Sequence, residues 1–370
     1  MSYWLVSLPL LDNSVSNTWS TLQQKTTYDN DWSANYKFEL PELRVGTLDS
    51  LMQLSDDLVK TSLSLEGVVG KIRRTLIDVC GSPLGATTID NKPVTSYLTS
   101  FQWDEAKYPS RRSLQDTVSK IQEEMLKLDD DLKVRVSEYN TVKTALQSAQ
   151  RKTQGNLLVR DLNSIVKPEH VVDSENLCTL VVVVSKFSHG DWLKNYETMT
   201  DFVVPRSSVV VAQDNDYIMC TVTLFRRIVD DFKQECRSRG FTVRDFTYSE
   251  EAKEAQESEL SALKEDSAAK LESLSEWCQT AFAEAFTSWI HVCGIRLFTE
   301  SILRYGLPPQ FLPVLMQPKS AKMEGKIRNV LGNNFGAPGS KFWKVDNKED
   351  VNIGYEGEYT PYVCFSISLE

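Results

Sequence analysis

The strongest hydrophobic pattern in the chain runs from Leu114 to Leu146. Leu114, Val118, Ile121, Met125, Leu128, Leu132, Val136, Tyr139, Val142 and Leu146 follow one another at steps of three or four. That spacing collects them on one stripe of a helix, with charged and amide side chains elsewhere. Held for over four heptads, such a stripe is the seam of a paired long helix. Pro109 stops what precedes it, Ser113 and Asp116 fit an N-cap with its partner three residues on, and Gly155 closes it. As one helix, residues 113–152 would span roughly 60 Å.

A second long helix is predicted from Glu250. Its first part, 250–276, carries nine acidic residues and three lysines, and its apolar stripe is narrow: Leu260, Leu263, Leu271, Leu274. It then widens through Trp277, Ala281, Phe282, Ala285, Phe286, Trp289, Val292, Ile295 and Phe298. A narrow stripe fits a two-helix stalk, and a wide one fits entry into a globular core. Arg304 and Gly306, followed by Pro308-Pro309, end it.

Between these helices the period changes to that of strands. Leu177–Ser185 is a valine-rich run of buried-strand type. Val209–Val211 and Tyr217–Phe225 flank a turn at Gln213-Asp-Asn-Asp216, which predicts a hairpin. A helix is expected over Arg226–Arg239, ended by Gly240, and a short strand over Phe241–Phe246. Ser188-His-Gly-Asp191 reads as a turn. Ahead of the first long helix, residues 1–10 read as a strand. Leu48, Leu51, Leu58, Leu65, Val68, Ile72, Leu76 and Val79 mark a helix ended by Gly81, against which the aromatic-rich stretch 94–108 is expected to pack.

Two long helices that bracket a domain are expected to pair antiparallel. The predicted class is therefore α+β, an elongated dumbbell. Its discontinuous foot is 1–108 and 306–370. The neck helices are 109–155 and 249–305, the second entering the foot at its C-terminal part, and the inserted head is 156–248. The neck seam is assigned to Leu114, Val118, Ile121, Met125, Leu128, Leu132 and Val136.

Composition narrows the function. The chain has 370 residues, 41% hydrophobic and 10% aromatic, enough to bury real cores. A net charge of -10 opposes direct binding of nucleic acid or anionic lipid. No apolar run approaches the roughly 20 residues of a membrane helix, so no direct membrane insertion is expected. Seven dispersed cysteines without a C-x-x-C pair suggest reduced thiols in the cytosol.

The chain carries no signature of catalysis. Gly332-Asn-Asn-Phe-Gly-Ala-Pro-Gly-Ser-Lys341 lacks the order of a phosphate loop and reads as a linker. There is no G-x-S-x-G elbow. Of the three histidines, His291 lies two residues from Cys293, a spacing that does not share a helix face, so no metal pair is expected there. Asp129-Asp-Asp131 reads as a solvated helix face. No catalytic residue, metal or cofactor is assigned. Two clusters stand out as candidate partner contacts: Arg206 with Arg226 and Arg227 in the inserted domain, and Arg304-Tyr305 at the end of the second long helix. Strand ends and a helix stop are the plainer readings of each.

Several segments, in order, resemble the C subunit of the eukaryotic vacuolar proton-pumping ATPase (V-type ATPase). They include Ser96-Tyr-Leu-Thr-Ser-Phe-Gln-Trp-Asp-Glu-Ala-Lys-Tyr-Pro109, Asp191-Trp-Leu-Lys-Asn-Tyr-Glu197, Val204-Pro-Arg-Ser-Ser208, Thr221-Val-Thr-Leu-Phe225, Glu300-Ser-Ile-Leu-Arg-Tyr-Gly-Leu-Pro308 and Pro361-Tyr-Val363. The resemblance is weakest over 11–36, 80–90 and 318–355. It implies a non-catalytic stator component of the cytosolic sector, in the cytosol and on the cytosolic face of vacuolar and endosomal membranes. It implies a head that binds the E and G subunits of a peripheral stalk. The foot would lie near a second stalk and the cytosolic part of membrane subunit a, in a brace that resists torque and is released on regulated disassembly. Actin and nucleotide binding are also proposed for that family; no motif in this sequence speaks for either. A cytoskeletal or scaffold adaptor using the long helices as a spacer is the alternative.

Overall fold

A computed structural model describes residues 2–81, 88–89, 92–163, 165–246, 249–335 and 360–369. In chain order the elements begin with β1 (Ser2–Pro9), α1 (Val15–Gln23), β2 (Ser33–Lys37) and α2 (Leu48–Cys80). The short pair β3 (Thr88–Ile89) and β4 (Lys92–Pro93) follows, then α3 (Val94–Thr99) and α4 (Leu114–Gln154). Next come β5 (Leu177–Ser185), α5 (His189–Asn195), β6 (Val209–Gln213), β7 (Tyr217–Phe225), α6 (Val229–Ser238) and β8 (Thr242–Arg244). The chain closes with α7 (Glu250–Tyr305), β9 (Phe311–Pro318), α8 (Ala321–Asn334) and β10 (Val363–Ser368). The class is α+β. The chain divides into two compact units, one of residues 1–134 with 274–370 and one of residues 135–273, so both boundaries fall inside helices, α4 and α7.

The first unit is organised around the apolar end of α7. From Ser288 to Thr299 every residue is buried, as expected of a helix that is apolar all round. One side meets α2, where Ser62 Oγ lies 3.7 Å from Cys293 Sγ. Another meets an antiparallel sheet of order β10-β1-β9-β2. There Ser301 Oγ donates to Ser7 Oγ at 2.7 Å and Arg296 stacks over Phe365. The opposite face of that sheet, Trp4, Val6, Leu8, Val314 and Met316, is covered by Leu22 of α1 and by Ile327 and Leu331 of α8. With both faces covered, β1 is buried from Tyr3 to Leu8, which is why it reads as a continuous apolar run.

The aromatic stretch makes ring contacts to α7: Tyr97 meets Phe286, and Phe101, Trp103 and Tyr108 surround the His291 ring. Gly294 makes this possible. A Cβ there would stand 3.0 Å from Leu40 and 3.5 Å from Trp103. At the far end of the chain, residues 332–334 finish α8, although the segment 332–341 reads as a linker; 336–341 lie outside the described residues.

The second unit holds an antiparallel sheet of order β6-β7-β5-β8. Val182, Val184, Cys220, Val222 and Leu224 form one face, packed on Trp192 and Tyr196 from α5 and its end, and on Phe232 and Cys236 from α6. Val181, Val183 and Met219 form the other face, under Leu157, Leu162 and Val166. His189 opens α5, where Ser188–Asp191 reads as a turn. Strand, 3₁₀ turn and helix recur at a constant offset: 177 to 217, 186 to 226 and 189 to 229. In the β5–β7 register Val181 pairs with Thr221, which are also equivalent positions under that offset. The two halves are therefore related by a local two-fold axis through this pair.

Candidate interaction surfaces

Among the described residues, no group of three or more His, Cys, Asp or Glu side chains is placed to hold a metal ion. No helix of the described residues is long and apolar enough to cross a membrane. All seven cysteines are free thiols, and burial pushes those of Cys236 and Cys293 up to about 12, where thiolate chemistry is suppressed. The side chains that stand out are held for position.

The helix seam changes character along its length. Asp116 N–H donates to the Ser113 hydroxyl at 3.1 Å, the expected N-cap. Leu114, Val118, Ile121, Met125 and Leu132 are buried, while Leu128 and Val136 are half-buried. No residue of α4 after Leu132 and none of α7 before Leu274 is buried. In that thinner stretch Lys270 bridges to Glu138 at 2.8 Å.

Asp129 corrects the reading of Asp129–Asp131 as a solvated face: it is only 7% exposed. It accepts from Lys71 of α2 at 2.8 Å and from Lys133 at 2.7 Å. Burial works to raise its pKa, and the bonds from Lys133 and Lys71 outweigh that and hold it below the ordinary range. An acid cluster on a helix carries no signal for this, because the lysine that completes it lies on α2.

A seam prediction follows. Met125→Asp places an unpaired carboxylate where the native side chain is 1% exposed, and the expected loss is about 3–5 kcal/mol. Leu128→Asp, at a half-buried position, is expected to cost less than half of that. Denaturant unfolding of the two variants checks the order; equal losses would show that the seam is closed evenly.

The candidate arginines separate into three kinds. Arg226 is used inside its unit: its guanidinium donates to the Ser174 carbonyl at 2.8 Å and pairs with Asp173. Arg304 donates to the Thr360 carbonyl, and the Tyr305 hydroxyl donates to the Ser7 carbonyl at 2.7 Å and accepts from Val363 N–H at 3.3 Å. The two thus tie the C-terminal strand to β1. Arg206 and Arg227 are exposed. Arg206 has a left-handed backbone, φ 58°, and its N–H donates to Glu197 at 2.8 Å, an oxygen that also accepts from the Tyr196 hydroxyl at 2.9 Å. These bonds hold the Glu197 carboxyl below the usual range.

The Arg227 guanidinium carbon sits over Phe202, 3.6 Å from the ring centroid, and 5.8 Å from that of Phe225. The two rings meet edge-on at 6.0 Å. Sequence reasoning missed Phe202. Twenty-five residues separate it from Arg227, and it is brought there by the Val203–Leu224 bridge, with Phe225 N–H donating to the Phe202 carbonyl.

Comparison with known proteins agrees over the whole length. A family model described as the V-ATPase C subunit matches residues 3–363. The V-type proton ATPase C subunit of Arabidopsis thaliana is 47% identical, covering 99% of both chains. The V-type proton ATPase C 1 subunit of Bos taurus is 42% identical over 99% of this chain and 97% of its own. The C 1-B subunit of the same ATPase in Danio rerio is 40% identical over 99% and 98%.

Proposed function

The chain belongs to the V-ATPase C subunit family, and from that premise we propose that it is a non-catalytic stator subunit of the vacuolar proton-pumping ATPase. It bridges peripheral stalks to the membrane sector on the cytosolic face of vacuolar and endosomal membranes. The observation that carries this reading is the division of the chain into two separately cored units, with α4 and α7 each contributing to both. A brace needs two independently folded grips joined by stiff elements, and helices without an internal break supply the stiffness. The unit of residues 135–273, which contains the head, takes the E and G subunits. The unit built from both chain ends, the foot, takes a second stalk and the cytosolic part of membrane subunit a. Tethering makes the second contact intramolecular, so the intact chain holds the pump more firmly than either grip could, yet releases in steps when the pump disassembles.

The test is titration of the full chain with purified E–G pair and, separately, with the cytosolic part of membrane subunit a. Binding to both is expected, together with restored proton pumping in vesicles from cells lacking their own C subunit. A folded chain that ignores the E–G pair would sink the reading. ATP hydrolysis by the purified chain, abolished by substitution within it, would sink the non-catalytic assignment.

A further inference from the structure

The loop between α5 and β6 displays an apolar side chain that no core claims. Phe202 is 52% exposed and Phe225 is 37% exposed. Val203, next to Phe202 and bridged to Leu224, is buried in the core of the unit, so the backbone here is firmly seated. Phe202 itself holds a φ of 65°, a left-handed conformation that bulky L-residues rarely adopt. The chain thus accepts an unfavourable backbone to hold the ring out beside β7. The ring then carries the Arg227 guanidinium.

Stacking uses the face of the guanidinium and leaves its in-plane N–H groups pointing outward. No described residue forms an ion pair with Arg227. Asp173 is committed to Arg226, and Glu197 to Tyr196 and the Arg206 amide. Along the same edge of β7, Val204 N–H reaches the Thr223 carbonyl and Ser207 Oγ accepts from Thr223 N–H at 3.2 Å. This places the turn bearing Arg206 next to the cluster. The result is an ordered cation, short of one anion, framed by two exposed rings. Arginine and aromatic side chains in such a setting are the residues that dominate binding at protein interfaces.

We propose that Phe202, Phe225 and Arg227 form the anchor of this unit on the E–G stalk pair, where Arg227 receives a partner Asp or Glu carboxylate edge-on and the two rings cover an apolar side chain beside it. The inference rests on the E–G pair being the partner. Arg206 adds a second cation at the rim, and Arg226 takes no part because Asp173 holds it.

The test is calorimetric titration of the purified E–G pair into the full chain and into four variants. Arg227→Ala and Phe202→Ala are expected to weaken binding by roughly 30-fold or more. Arg227→Lys keeps the charge but lacks the flat fork, and is expected to recover less than a third of that loss. Arg237→Ala, at an exposed cation on α6 outside the cluster, is expected to bind like the parent. Unchanged circular dichroism and melting of the variants confine the effect to the surface. If the parent binds and Arg227→Ala binds equally well, the anchor is refuted while the partner stands. If Arg227→Lys binds like the parent, the edge-on carboxylate is refuted. If the parent does not bind the E–G pair, the partner assignment fails first and the anchor falls with it.

Discussion

Deleting residues 360–370 is expected to unfold the unit built from both chain ends and to leave the unit of residues 135–273 folded. β10 pairs with β1 from Ser2–Ser368 to Ser7–Val363, so its loss exposes one whole edge of the strand that the sheet is built on. Tyr362, Val363, Phe365 and Ile367 are all buried. At about 1.5–3 kcal/mol for each such side chain, the deletion removes roughly 6–12 kcal/mol. A folded domain commonly has a net stability of about 5–15 kcal/mol. The ties from Arg304 to Thr360 and from Tyr305 to Val363 go with it, and Arg296 loses the ring of Phe365 that it covers. The second unit draws no core residue from this strand. Calorimetry of the deleted chain should show one transition where the parent shows two. Retention of both would mean that β1 and β9 hold the sheet without their third partner. By the same reasoning, a fragment of residues 1–108 has no β9 or β10 to pair with β1 and is expected to be unstable.

His291→Gln is expected to cost about 3 kcal/mol at pH 7.5 and to change how stability depends on pH. The His291 ring is fully enclosed. Nδ1–H donates to the Thr287 carbonyl at 2.7 Å, and Nε2 accepts from Asp104 N–H at 3.0 Å, so the neutral form satisfies both nitrogens. Burial pushes its pKa down from 6.5 to about 4. The Thr287 carbonyl and the nearby Asp104 pull it upward, and Lys107 adds a little to the lowering. A histidine whose folded pKa lies below its unfolded one binds its extra proton only on unfolding. Its stabilising contribution is therefore complete above pH 6.5 and is lost as pH falls from 6.5 towards 4, up to roughly 3 kcal/mol over that window. Glutamine does not titrate. The gap between parent and variant should be wide at pH 7.5 and narrow steadily below 6.5. A gap that stays constant from pH 7.5 to 4.5 would show that His291 titrates alike in the folded and the unfolded chain, so that its enclosure does not favour the neutral ring.

Much of the local structure is legible in the sequence. The bounds Leu177–Ser185 and Tyr217–Phe225, the Ser113 cap and the helix end at Gly81, with φ 65°, all follow from short-range physics. Side-chain periodicity reports which side of an element is covered, and caps and turns are completed within a few residues. The widening stripe of α7 likewise announces where that helix becomes wholly buried. What covers a face is another matter. The order β10-β1-β9-β2 joins strands from both ends of the chain, and β9 carries Pro313 within its run, so neither its existence nor its partners show in a local pattern. The spacing of the aromatic stretch carries no sign that its rings meet His291 and pass Gly294 on α7. Asp129 looks solvated until Lys71 arrives from α2, and Arg226, Arg304 and Tyr305 look available until Asp173, Thr360 and Ser7 take their hydrogen bonds. The sequence by itself determined the long helices, the paired strands β5 and β7, the caps at Ser113 and Gly81, and the family. Only the tertiary structure decided which charged and aromatic groups are consumed inside the fold and which, like Phe202 and Arg227, remain displayed, because a polar group's fate depends on partners that distant chain segments bring within hydrogen-bonding reach.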